Sequence, residues 1–315
     1  MTDLQQMKYK VSCYFLWLIV LSSVGLFAQQ DAQFTQYMYN TVAINPAYAG
    51  SRGVTSLFLL HRTQWVGLDG APVTNVFAVN KPVSNTNLGY GLSVVNDRIG
   101  VSDSNTFSAD VSYSILVSST SKLSFGLKIS ANLLSVDYTR LTILNPNDAV
   151  LSEQNSIENQ FSPNVGLGIY WHSDKNYIGI SVPNFLETKR YDNNVSSTAK
   201  DKMHVYLISG TIFDLNTNWQ FKPTLMTKLV QGAPLQVDFS ANLLFIQKFT
   251  FGAAYRLNAA FTGLVGFQVN ESWQIGYAYD AETTQLQSYN SGSHEIFLRF
   301  ELFSKYNKIV SPRFF

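Results

Sequence analysis

The sequence predicts an all-β fold, a transmembrane outer-membrane β-barrel of about 14 antiparallel strands with a short N-terminal helical or plug segment. The first of three observations is strict alternation through the last third of the chain. Phe249, Phe251, Ala253, Tyr255 and Leu257 alternate with Thr250, Gly252, Ala254 and Arg256, and Trp273, Ile275, Tyr277 and Tyr279 alternate with Gln274, Gly276, Ala278 and Asp280. A period of two places one set toward lipid and the other toward a polar interior. The second is composition: 14% aromatic residues, a net charge of +1, and no run after the N-terminus near the roughly 18 apolar residues of a spanning helix. The third is an alternation of short and long connections, as expected for periplasmic turns and external loops.

At the N-terminus, Lys8 and Lys10 precede an apolar run from Val11 to Phe27, and residues 1–28 read as a cleavable signal peptide ending at Ala28. The only cysteine, Cys13, lies within it, so the mature chain is expected to be exported without disulfides. Residues 29–52 form an N-terminal segment in which Phe34, Tyr37 and Met38 fall at helical spacing behind a candidate Asp31 cap, with a turn at Asn45-Pro46. Both a plug in the lumen and a periplasmic docking segment fit it.

Residues 53–315 read as the barrel. Expected strands run near 53–65, 72–82, 88–97, 106–117, 123–136, 162–172 and 176–183. The second seven run near 203–214, 218–230, 235–246, 249–257, 259–269, 272–280 and 294–303. With both termini periplasmic, the long connections 137–161, 184–202 and 281–293 follow odd strands and the short ones follow even strands, as a barrel requires. A soluble β-sandwich would need closer-spaced turns and fewer outward aromatics. The terminal Phe315 fits an assembly signal of outer-membrane barrels.

No catalytic, metal or cofactor site is expected. The four histidines are scattered, and Gly166 and Gly168 lie within a strand, where glycine would relieve crowding on a curved wall. The near-neutral charge gives no basic footprint for nucleic acid. A candidate polar network in the lumen comprises Arg62, Lys128, Arg256, Asp280 and Glu295. Lys128 must face inward, because a lysine on the lipid face near the midplane costs about 2–4 kcal/mol. Arg256 and Asp280 are expected on the lumen face two strands apart, with Glu295 joining them on the neighbouring strand, as a charge network that braces the wall or serves gating or the grip on a partner.

Several blocks carry a resemblance: QDAQFTQYMYNTVAINPAYAGSRG at 30–53, HRTQWVGLDGAPVT at 61–74, SPNVGLGIYW at 162–171, SVPNF at 181–185, GYAYD at 276–280 and the SPRFF end. In this order they resemble the PorP/SprF family of type IX secretion system membrane proteins. The motif residues are Asn45, Pro46, Tyr48 and Gly50, and His61, Arg62, Gln64 and Trp65. The resemblance implies a non-enzymatic barrel in the outer membrane of a gram-negative bacterium. Its implied partners are the C-terminal domain of a secreted adhesin, other type IX components and outer-membrane lipid, with a role in export, anchoring or gliding motility. The alternatives are a diffusion channel or hydrophobic-solute transporter plugged by Phe34–Asn40, and a barrel enzyme.

Overall fold

The computed structural model describes residues 34–141, 156–187 and 202–303. The expected signal peptide at 1–28, Asp31, parts of the connections 137–161 and 184–202, and Phe315 lie outside them. The strands are β1 (Thr55–Thr63), β2 (Val73–Pro82), β3 (Leu88–Ile99), β4 (Ser102–Ser118), β5 (Ser121–Val136), β6 (Ile157–Ser173) and β7 (Asn176–Val182). Next come β8 (His204–Thr211, resumed at Phe213–Asp214), β9 (Trp219–Val230), β10 (Gln236–Phe245), β11 (Phe249–Arg256), β12 (Ala260–Gln268), β13 (Trp273–Glu282) and β14 (Ser293–Leu302). The sheet has fifteen hydrogen-bonded segments; two of them continue one line on either side of Ile212 and both pair with β9, so the wall has fourteen strands. Each strand is antiparallel to its sequence neighbours, and β1 pairs with β14 from Thr55↔Leu302 to Thr63↔His294, closing the barrel. Closure leaves no long sheet edge at the seam.

Alternation sorts the side chains as physical chemistry requires. Leu127 and Ile129 are 61% and 64% exposed on the outer face, while Lys128 between them is 5% exposed and points inward. Aromatic pairs ring the end carrying the short turns: Trp219 with Phe245, Trp273 with Phe300 and Phe249 with Phe267, at centroid distances of 4.5, 4.4 and 5.0 Å. Such aromatics sit at headgroup level at either membrane interface, and it is the short turns that mark this end as the periplasmic one.

β4 and β6 well exceed expectation, with 17 residues each, and most of their added length lies at the long-loop end, where Asn96, Asp103 and Asn105 bond to one another on the outer face; β5 gains only Ser121 and Lys122, at its short-turn end. Hydrophobic alternation fades there because both faces are wet, which hid β4 before Thr106 and β6 before Ser162.

The N-terminal segment lies inside the barrel. It is built from a 3-10 turn at Tyr37–Tyr39, a four-residue helix at Thr41–Ile44 and a second 3-10 turn at Pro46–Tyr48, in place of the single short helix expected from the spacing of Phe34, Tyr37 and Met38. Asn40 and Asn45 break it into pieces, and Pro46 starts the last piece where its missing N–H is harmless. A lysine placed at Leu127 is expected to destabilise the barrel by about 2–4 kcal/mol in urea titrations from lipid bilayers, and an asparagine at the lumen-facing Ser130 by far less.

Candidate functional site

The candidate site is the contact between the N-terminal segment and the lumen wall. Nearly every residue from Phe34 to Ala49 is buried. A segment with so little regular structure carries many backbone groups that its own turns leave unpaired, and the wall must supply their partners.

At the external end Glu295 accepts the amides of Gln36 (2.9 Å) and Thr35 (3.0 Å). Arg62 donates to Glu295 (3.2 Å), to Asp280 (2.7 Å) and to the Thr35 hydroxyl (2.9 Å). That hydroxyl donates to Asp280 at 2.6 Å, and Thr262 donates to the other oxygen of Asp280 at 2.6 Å. Two carboxylates and one guanidinium, all almost fully buried, thus clasp the start of the segment.

Around the middle, the grips come from the whole circumference. Lys128 donates to the carbonyl of Ala43 (3.0 Å) and lies 3.6 Å from Asp110. Ser181 donates to the carbonyl of Ile44 (2.7 Å), and Ser112 to that of Ala49 (2.6 Å). Tyr37 shares a hydrogen bond with Thr224 at 2.9 Å on the opposite wall. Near the periplasmic end Arg299 donates to the carbonyl of Tyr39, and Arg52 pairs with Glu301.

The motif residues divide by role. Asn45 accepts the amide of Ala47 (3.0 Å) and donates to the carbonyl of Ile169 in β6 (3.1 Å), joining segment to wall. Pro46 opens the last turn, Tyr48 packs edge-on against Tyr170, and Gly50 has a φ of +72° that a side chain would strain. His61 faces outward and bonds to Asn75, whereas Arg62 faces the lumen. Gln64 accepts from Arg62 at 3.3 Å. Trp65 donates to Glu282 at 2.9 Å, and Val66 exchanges backbone bonds with Ser291 and Gly292, so two external loops are tied above the clasp.

Two expectations are refined. The charge of Arg256 reaches Asp280, but its hydrogen bond goes to Asp238 at 3.0 Å, directly opposite it in the register, and Arg62 of β1 takes the two carboxylates. Gly168 does not merely ease the curvature of the wall. A Cβ there would overlap the Asn45 side chain, and one at Gly126 would overlap the backbone of Pro46 and Ala47. Thr35, Gln36, Arg52, Arg299 and Glu301 complete the site beyond the candidate residues; alternation within β14 places Arg299 and Glu301 on the inward face, and no local signal points to the other three.

Above the segment, toward the external side, lies a cavity of about 180 Å³ with a mixed lining, in which Phe34, Ile44 and Val95 stand beside Lys128, Ser130 and Asn132. Among the described residues no group of three or more His, Cys, Asp or Glu side chains is placed to hold a metal ion.

The profile of the type IX secretion system membrane protein PorP/SprF matches residues 26–300. The chain belongs to the PorP/SprF family. Members of this family are membrane proteins of type IX secretion, and the barrel places this member in the gram-negative outer membrane. No curated protein matches the chain. Among solved structures it is similar to Omp33 of Acinetobacter baumannii (10% identity, 79% of this chain and 100% of that one, TM-score 0.47). It is also similar to the toluene transporter TodX of P. putida (10%, 83% and 92%, 0.45) and to a Pseudomonas aeruginosa FadL homologue (10%, 82% and 93%, 0.47).

Arg62→Ala would leave Asp280 and Glu295 buried without their cation, so a loss of about 3–5 kcal/mol is expected in bilayer unfolding titrations. Arg256→Ala, which removes one partner at a wetter site, is expected to lose less than half as much. Equal losses would contradict the clasp.

Proposed function

We propose that this PorP/SprF member is a closed, non-enzymatic outer-membrane barrel that captures a large secreted adhesin through its C-terminal domain, helping its export or anchoring it at the surface for gliding motility. The observation that carries this over the channel reading is the filled lumen: the segment from Phe34 to Ala49 is buried and is bonded to β4, β5, β6, β7, β9, β13 and β14. A permanently seated segment leaves the barrel better suited to holding a partner on its rim than to passing solute.

The capture surface is the external rim, formed by the connections 137–161, 184–202 and 281–293. Of these, 281–293 is described most fully. It carries a 3-10 turn at Gln285–Ser288, exposes Leu286 and Tyr289, and is fixed to the β1–β2 loop through Val66. Loops held this way on a rigid scaffold lose little freedom on binding. Other type IX components meet the barrel as well, as its family membership suggests.

The test is affinity purification of the tagged chain from outer membranes in mild detergent, paired with planar-bilayer recordings of the same preparation. The expected result is a co-purifying secreted protein bound through its C-terminal domain and no channel steps. A barrel recovered alone that conducts steadily would return the function to a channel.

A further inference from the structure

We propose that the N-terminal segment is also the closing element of the barrel: it forms the inner surface on which the last strand, β14, is selected and locked against the first, β1. This goes beyond the partner reading and does not depend on it.

The seam between β1 and β14 joins the two ends of the chain, and its inward-facing cross-strand pairs are Ser56↔Glu301, Phe58↔Arg299, Leu60↔Phe297 and Arg62↔Glu295. The N-terminal segment holds every inward side chain of β14 from Glu295 to Glu301. Glu295 takes the amides of Thr35 and Gln36. Phe297 packs on Tyr39 at 4.6 Å between ring centroids and on Phe58 at 5.4 Å. Arg299 donates to the Tyr39 carbonyl and lies over the rings of Tyr39 and Phe58 at 5.5 and 5.7 Å. Glu301 pairs with Arg52. From β1, Arg62 reaches Thr35.

Three of these four β14 residues are charged, and all four are buried in the closed barrel. Strand pairing alone would bring Arg299 and Glu301 against Phe58 and Ser56, which cannot neutralise them. On the wall Arg299 has Gln274 of β13 and its neighbour Glu301; the segment adds the Tyr39 carbonyl for Arg299, and Arg52 adds the cation for Glu301, both covalently next to β1 and so already beside it when β14 arrives. β1 and the segment together present a composite surface whose order of groups matches β14 in one register. A slip of one residue would turn the charges toward lipid, and a slip of two would set Glu295 opposite Leu60 instead of Arg62.

The experiment uses the full chain, with Cys13→Ser, folded into lipid bilayers. A thiol pair at Leu59→Cys and Leu298→Cys spans the seam on its outer face, and a pair at Phe251→Cys and Val265→Cys spans β11 and β12 as a control, away from the strand that carries Gly126. Gly126→Val displaces the segment from the far wall, where it would collide with Pro46 and Ala47, without touching the seam. Cross-linking of the seam pair is expected to fall about fivefold or more, an effect of the order that one to two kcal/mol produces, while the control pair stays unchanged. Thr35→Ala, a milder change that keeps the wall intact, is expected to lower seam cross-linking in the same direction, and Gly263→Ala, with open space around it, to leave it unchanged. Seam cross-linking that persists in both Gly126→Val and Thr35→Ala would overturn the proposal, as would an equal fall in both thiol pairs. Neither readout needs a secreted partner, so failure here is distinct from failure of the capture reading.

Discussion

The structure depends on one constraint: charged and backbone polar groups sealed inside a lumen must be paired, because water does not reach them freely. Glu295 meets it most completely, with two backbone amides and one guanidinium on a single carboxylate. The same constraint explains why a segment with two 3-10 turns and one short helix can be stable there. Its unpaired carbonyls are met by Lys128, Ser112, Ser181 and Arg299, each reaching inward from a different strand. Wall and segment therefore have complementary chemistry, and neither is satisfied without the other.

The charge pairs follow a rule of the sheet. Asp110 lies directly opposite Lys128, Asp238 opposite Arg256 and Glu295 opposite Arg62 in the register. Cross-strand neighbours on one face approach closely enough for such pairs to form. The wall supplies half of each grip and the N-terminal segment the other half at two of the sites that hold it, around Arg62 and around Lys128. Arg256 and Asp238 instead brace the wall itself.

The wall was legible in the sequence because a two-residue period is local and survives wherever one face meets lipid. It became illegible at the external ends of β4 and β6, where both faces are wet. The direction of Lys128 could be argued from cost alone. The partner of Asp280 and Glu295 could not, since Arg62 lies 218 and 233 residues away and meets them only through closure of the seam. Arg256 was the nearer candidate along the chain, yet the register gives it Asp238. The segment's position was open for a similar reason. Its conformation is set by the wall, and the clearest sign of it, the small residues at Gly126 and Gly168, reads equally as strand curvature until Pro46 and Asn45 are seen against them.

A filled lumen changes what a barrel in a secretion system can do. The rim loops and the fixed turn near Tyr289 become the accessible external features, and the lumen serves as a rigid core like that of a soluble domain. The most direct measurement of this view is hydrogen exchange at the amides of Thr35, Gln36 and Ala47 in the full chain folded in lipid bilayers. Exchange as slow as that of the β1 and β14 amides is predicted, since opening these groups requires breaking the clasp. Exchange at the rate of an unstructured peptide, with the wall still protected, would contradict a seated segment and reopen the lumen.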